Sequence, residues 1–279
     1  MVDKKKTVFI LSITSDIGTA LAKRYAGEGY RVVGTYRTEK NLVQLKDIPN
    51  CHLYSCDLED KGSVAQFINE FKKLNLAWDI FISCPCTPLP LGSFFECDFD
   101  EWSQSIHINA VEQLRALHNL YPMRNTDTVC DVVFFAGGGT NNAVLNFSAY
   151  TVSKIMLIKM SELLDAENRD LNVFIVGPGW TKTKTHYITL EHVNKTDKKY
   201  SETVEFMKSG VGTSMDDICD CIKWLCRQGK EVVGGRNFSV INDQWKDDSQ
   251  GQLATALKSD ANMYKLRRHG NHLLVRNAQ

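Results

Sequence analysis

The sequence predicts an α/β fold: a doubly wound parallel sheet in a single domain with a C-terminal extension. Two observations carry that expectation. Short apolar runs, nearly continuous and rich in β-branched and aromatic residues, alternate with amphipathic segments of helical period, as strands do when both their faces are buried under crossover helices. The first run passes through a short turn into a helical segment and then a second strand. That is the layout of a mononucleotide-binding unit, in which N–H groups at a helix N-terminus attract a pyrophosphate.

In chain order the predicted strands are VFILS (8–12), RVVGTY (31–36), CHLYSC (51–56), DIFISC (79–84), DVVFFA (131–136), NVFIVG (172–177) and NFSVIN (237–242). The helical segments between them are IGTALAKRYAGEG, SVAQFINEFKKL, the long FDEWSQSIHINAVEQLRALHNL, SAYTVSKIMLIKMSELLDAE and MDDICDCIKWLCRQ. Residues 181–212 are polar and basic with no strong period, too long for a plain connection, and are read as a substrate lid. The domain is therefore drawn over 1–245, lid included, with 246–279 as the extension. Helices 99–122 and 148–169 carry apolar residues on more than one face (Ile155, Met156, Leu157, Ile158, Met160), which marks them as an interface.

Lys plus Arg and Asp plus Glu number 33 each, so net charge is zero. That argues against a general nucleic-acid or membrane-surface role. No apolar run approaches the ~20 residues that span a bilayer. The basic start MVDKKK is followed by TVFILSI, which is short and lacks a small-residue cleavage site, so it reads as a first strand and not a leader. Nine cysteines without CxxC pairs read as reduced core thiols of a cytoplasmic protein, with no metal site.

Tyr150 and Lys154 are the chemically informative pair. Four apart at the start of a helical run, they share a helix face. An ammonium beside a phenol favours the phenolate and draws its pKa from about 10 toward neutrality, making an acid–base group. At the nucleotide end, the turn Thr14-Ser15-Asp16-Ile17-Gly18 keeps one glycine, and Ser12 stands where a glycine normally lets backbone and phosphate approach. Asp16 is placed to cap the helix, although its charge suits a pyrophosphate poorly. The second strand ends in Tyr36-Arg37. No acid stands there for a ribose hydroxyl, and a guanidinium suits the 2′-phosphate of NADP(H).

Taken together and in order, these residues resemble the short-chain dehydrogenase/reductase family, over roughly residues 7–245. The resemblance implies a Rossmann-like sheet of order 3-2-1-4-5-6-7, pairing through helices 99–122 and 148–169 into a homodimer or homotetramer, and a small carbonyl or alcohol substrate. It implies that Asp57 and Leu58 meet the adenine, and that Asn109, in the EWSQSIHIN segment with Trp102, organises a proton-relay water. Tyr150 protonates the substrate oxygen as NADPH delivers hydride, and Lys154 also holds the ribose. Pro178, Gly179, Thr181 and Thr183 clasp the nicotinamide carboxamide, and Trp245 fits the pattern after the last strand.

The chain departs from the family pattern in three places. Ser12 replaces the first glycine. Ser83-Cys84-Pro85-Cys86 replaces Asn-Asn-Ala-Gly, putting Cys84 and Pro85 against the cofactor. The Ser expected thirteen or fourteen residues before the Tyr is absent, and Ala136 or Gly137 stands in its place. The stretch FFAGGGTNNAVLNFSAY resembles members with Ser-Gly-Gly-Gly, Ala136 replacing the Ser, so Ala136→Ser is expected to raise the rate. Losing such a donor costs on the order of 10²–10³ in rate. Thr140, Asn141, Asn142 or Ser148 is available in its stead. Tyr264-Lys265-Leu266-Arg267-Arg268 resembles the ending of bacterial reductases linked to surface-polysaccharide sugars. The lid cations Lys182, Lys184, His186, Lys195, Lys198 and Lys199 suit a phosphorylated or nucleotide-linked sugar. The leading expectation is an NADP-dependent carbonyl–hydroxyl oxidoreductase. The alternative is a catalytically impaired nucleotide-binding sensor or scaffold on the same fold.

Overall fold

A computed structural model describes residues 5–269. Its strands are β1 (Thr7–Leu11), β2 (Arg31–Tyr36), β3 (Cys51–Ser55), β4 (Ile80–Ser83), β5 (Cys130–Phe135), β6 (Leu171–Gly177) and β7 (Asn237–Ser239). They form one sheet in the order β3-β2-β1-β4-β5-β6-β7, every pairing parallel. The predicted fold class and strand order hold. The helices are α1 (Asp16–Gly27), α2 (Val43–Lys46), α3 (Lys61–Lys73), α4 (Phe99–Ile106), α5 (Glu112–Leu120), α6 (Ser148–Glu167), α7 (Lys184–His192), α8 (Lys198–Lys208), α9 (Met215–Gln228), α10 (Lys230–Val233) and α11 (Gln252–Ser259).

Alternating strand side chains feed two cores. Val8, Ile10, Ile82, Val133 and Phe174 pack with α1 and α9, whereas Phe9, Phe81, Phe134 and Ile175 pack with α3, α5 and α6. In this second core Phe9 stacks on Phe81 at 5.6 Å and meets the edge of Phe71 at the same distance. Leu157 and Ile158 of α6 are buried there, and Ile155 and Met156 are packed against it. Much of the apolar surface expected of an interface therefore serves the core.

Three segments differ from the sequence expectation. The stretch 99–120 is not one α-helix, because a π turn over His107–Val111 separates α4 from α5. Gln113 Nε2 causes the break: it reaches into the ladder and donates to the carbonyls of Ile108 (3.2 Å), Asn109 (2.8 Å) and Pro85 (3.0 Å). β7 stops at Ser239, where the Asp243 carboxylate accepts from the strand's own N–H at 2.7 Å and turns the chain away. The segment 181–212, aperiodic by sequence and read there as a lid, holds a pair of helices, α7 and α8.

The segment after Trp245 returns to the sheet. Leu253 and Leu257 of α11 enter the first core. Arg236, 5% exposed, donates to the carbonyls of Leu257, Asp260 and Met263. The Asn237 N–H on β7 donates to the Tyr264 carbonyl at 2.8 Å, and Arg267 pairs with Glu162 on α6 at 2.7 Å. The conspicuous tail residues thus bind the extension to the edge of the sheet. Residues 270–279 of the extension and 1–4 of the basic start lie outside the described residues.

Candidate active site

One cavity of about 1470 Å³ runs along the carboxyl edge of the sheet, from β3 across to β7. Its wall takes Ser12 from after β1, Arg37 from after β2, Asp57 from after β3, Cys84 and Pro85 from after β4, Gly137 from after β5, and Pro178 and Gly179 from after β6. It takes in the point between β1 and β4 where the direction of winding reverses, the place where open α/β sheets hold their ligands. Thr14, Ser15, Asp16, Ile17, Leu58, Tyr150, Lys154, Thr181 and Thr183 line it too. Of the predicted site residues, Gly18, Tyr36 and Asn109 stand behind the wall.

At the nucleotide end, Ser12 adopts φ of 58°, the left-handed conformation a glycine would take freely. Gly18 is required: a Cβ there would lie 2.8 Å from the Ser12 carbonyl oxygen and from Ser15 Oγ. The cap of α1 is Ser15, whose hydroxyl accepts from the Gly18 N–H at 3.0 Å, and not Asp16. Asp16 is instead turned to the lid, accepting from the Lys184 N–H at 2.8 Å. Arg37 is exposed at the rim, 3.6 Å from the Glu59 carboxylate. Asp57 stays at its turn, accepting from the Glu59 N–H at 3.0 Å.

At the other end, α6 presents Tyr150 and, one turn on, the buried Lys154, whose Nζ lies 5.8 Å from the Tyr150 ring centre. The expectation that Lys154 lowers the phenol's pKa is not met in the ligand-free protein. Burial pushes Tyr150 well above its ordinary range, and the Cys86 thiol beside it adds to the rise. Burial also pushes the Cys84 thiol up to about 12, against a partial pull from Ser15 and Lys154, so it stays neutral. Cys86 carried no signal in the sequence beyond breaking the family pattern.

Asn109 sits in the π turn as a clamp. Its side chain accepts from the Thr87 N–H and donates to the Thr87 carbonyl, both at 2.8 Å, and donates to Ser105 Oγ at 3.2 Å. Its carbonyl takes Gln113. The carboxamide therefore fixes the loop after β4, which carries Cys86 beside the phenol. Ala136 and Gly137, the two residues that stand where the Ser is expected, both line the cavity. A Cβ at Gly137 would overlap the Tyr150 ring, 2.6 Å from its Cζ, and Ala136 reaches the cavity from the edge of the second core. Among the substitute donors, Thr140, Asn141 and Asn142 line the cavity. Ser148 does not, and its hydroxyl accepts from Trp102 Nε1 at 2.9 Å.

The lid cations divide. Lys184, His186 and Lys199 face the cavity. Lys182 donates to the carbonyls of Met207 and Ser209, and Lys198 pairs with Glu202 at 3.5 Å. His186 packs 5.7 Å from Trp180 and 5.0 Å from Phe206, and burial lowers its pKa, with Lys199 adding to the effect. No cluster of three or more His, Cys, Asp or Glu suited to a metal occurs among the described residues, and none of their helices is long and apolar enough to cross a membrane.

The residues present fit a dinucleotide. The α1 N-terminus, a cation at the end of β2 and a buried Lys at the inner end line a single trough. Comparison with known proteins agrees. The model of the family described as enoyl-(acyl carrier protein) reductase matches residues 13–241. An uncharacterized oxidoreductase of Bacillus subtilis is 27% identical over 198 residues, spanning 66% of this chain and 73% of its own. Dehydrogenase/reductase SDR family member 4 of Sus scrofa is 22% identical over 250 residues, 85% of this chain and 86% of its own. Among solved structures, a short-chain dehydrogenase/reductase of Saccharomyces cerevisiae superposes with a TM-score of 0.77 at 19% identity, covering 87% of this chain and 98% of its own. Actinorhodin polyketide ketoreductase with NADPH gives 0.75 at 18% identity, covering 85% and 95%. At such identities these structural likenesses concern the fold.

Proposed function

The chain belongs to the short-chain dehydrogenase/reductase family of oxidoreductases, and from that premise we propose that it interconverts a carbonyl and a hydroxyl using NADP(H). The observation that carries the reading is that Tyr150 and Lys154 line the same trough as Arg37 and the α1 N-terminus. When bound, the cofactor supplies the hydride. Tyr150 holds the proton for the substrate oxygen, and its raised pKa keeps that proton in place at neutral pH. Buried Lys154 would hold the ribose and favour the phenolate left by proton transfer. Arg37 would hold the 2′-phosphate, in competition with Glu59. Asn109 is a positioning residue that holds the Cys86–Thr87 turn.

A sugar or sugar-nucleotide is the substrate class we favour. The substrate side is lined by Thr140, Asn141, Asn142, Thr189, Lys199 and Thr203, hydrogen-bonding groups that suit a polyhydroxylated molecule. We place the protein in the cytoplasm as a homo-oligomer, in keeping with its free cysteines. A second reading, nucleotide binding without turnover, is favoured by one observation: neither Ala136 nor Gly137 offers a hydroxyl, and the phenol is packed over Gly137. NADPH consumption over a panel of aldoses, ketoses, sugar-nucleotides and simple ketones tests the choice. Consumption with any of them supports the reductase. NADPH binding with no consumption across the panel supports the second reading.

A further inference from the structure

We propose that Lys184 is a phosphate-binding residue of the cofactor trough. In the free protein it ties the lid to the phosphate turn through Asp16, and its ammonium neutralises the pyrophosphate once a dinucleotide occupies the site. The inference rests on the reading of this cavity as a dinucleotide site.

Asp16 is the first residue of α1 and lines the trough where a pyrophosphate meets the helix end. An unpaired carboxylate there would repel the ligand. Lys184, distant in sequence, answers it twice: its N–H donates to Asp16 Oδ2 at 2.8 Å and its Nζ lies 3.9 Å from Oδ1. The same Nζ donates to the Thr14 carbonyl at 3.1 Å, inside the turn itself. Lys184 also opens α7, and Thr183 provides that helix with no side-chain cap. Asp16 is the cap, supplied from across the fold. Two helix N-termini, of α1 and α7, therefore converge on one carboxylate beside one ammonium.

The Lys184 side chain is half exposed, which leaves its stem room to turn from the Thr14 carbonyl to an incoming phosphate. Two other cations of the same segment are held elsewhere: Lys182 by the carbonyls of Met207 and Ser209, and Lys199 over the Trp180 ring at 4.2 Å and beside Glu202 at 3.6 Å. A turn that keeps only Gly18 thus gains from the lid a charge that glycines do not provide, and nucleotide binding is coupled to seating of the lid.

The test is a fluorescence titration of the full chain with NADPH and NADH, with limited proteolysis of the lid in the absence of nucleotide. Lys184→Gln is expected to weaken both nucleotides by about tenfold or more, the worth of one charge-assisted hydrogen bond. Lys184→Arg should restore most of the affinity, and Lys208→Gln, which removes an exposed lid charge outside the trough, should leave it unchanged. Asp16→Asn in the Lys184→Gln background should recover part of the loss by removing the stranded carboxylate. Without nucleotide, Lys184→Gln and Asp16→Ala should speed cleavage within 181–212. Parent-like affinity in Lys184→Gln, or an equal loss in Lys208→Gln, would overturn the inference and leave the dinucleotide reading standing. A parent that binds neither nucleotide would overturn both.

Discussion

Ser12 occupies a left-handed backbone position that costs a non-glycine residue about 1–2 kcal/mol, more than the 0.5–1 kcal/mol of chain entropy a glycine there would lose. Ser12→Gly should therefore raise stability by about 0.5–1 kcal/mol, read as a higher urea midpoint with unchanged slope. A second residue-scale expectation concerns the cofactor: Arg37→Ala should weaken NADPH by about 1.5–3 kcal/mol and leave NADH nearly untouched. Equal titration curves for the two nucleotides on the parent would remove that argument. The missing donor shows where sequence reading stopped. The spacing to Tyr150 allowed Ala136 or Gly137, and the likeness to Ser-Gly-Gly-Gly pointed to Ala136. The named strand ends at Phe135, and the structure sets both Ala136 and Gly137 against the cavity, so the choice between them falls to a variant. Ala136→Ser should raise the rate on a simple carbonyl substrate, and an unchanged rate would move the vacated position to Gly137.

The strands were legible because their runs are apolar on both faces, a pattern a two-sided sheet imposes and few other elements share. The lid helices α7 and α8 were not, because their polar residues outnumber the apolar ones and their stability comes from caps. Asp197 accepts from the Lys199 N–H at 2.7 Å, and Asp16 serves α7 from a distance. The role of the tail was hidden for the same reason, since its basic residues find partners that only the fold brings near. Glu162 illustrates this. The Arg267 guanidinium, with Lys159 assisting, holds its carboxyl down at about 2 from an ordinary 4.5 against the opposing effect of burial. A depressed folded-state pKa contributes stability that is present above about 4.5 and lost as pH falls toward 2. Stability measured by denaturant across that window should therefore fall with acid more steeply in the parent than in Arg267→Ala. The difference should be modest, because the pair is partly exposed. Parallel curves would mean that the tail is not held to α6 by this pair.

For the whole molecule, the face shared by α4 and α6 still exposes apolar side chains after the core is accounted for: Phe99 at 62% and Val152 at 49%, with Phe95 nearby at 95%. Covering them predicts a two-fold symmetric dimer or tetramer, and light scattering at micromolar concentration that gave a monomer would contradict it. The central claim, however, is that the trough joins a bound NADP(H) to a proton held by Tyr150. A single comparison tests it most directly: NADPH affinity and NADPH-dependent carbonyl turnover in the parent and in Tyr150→Phe. The predicted result is a Phe variant that binds NADPH within a few-fold of the parent and turns over nothing, since the lost hydroxyl serves the transition state and not the ground state. A Phe variant that reduces the same substrate at the parent's rate would contradict it.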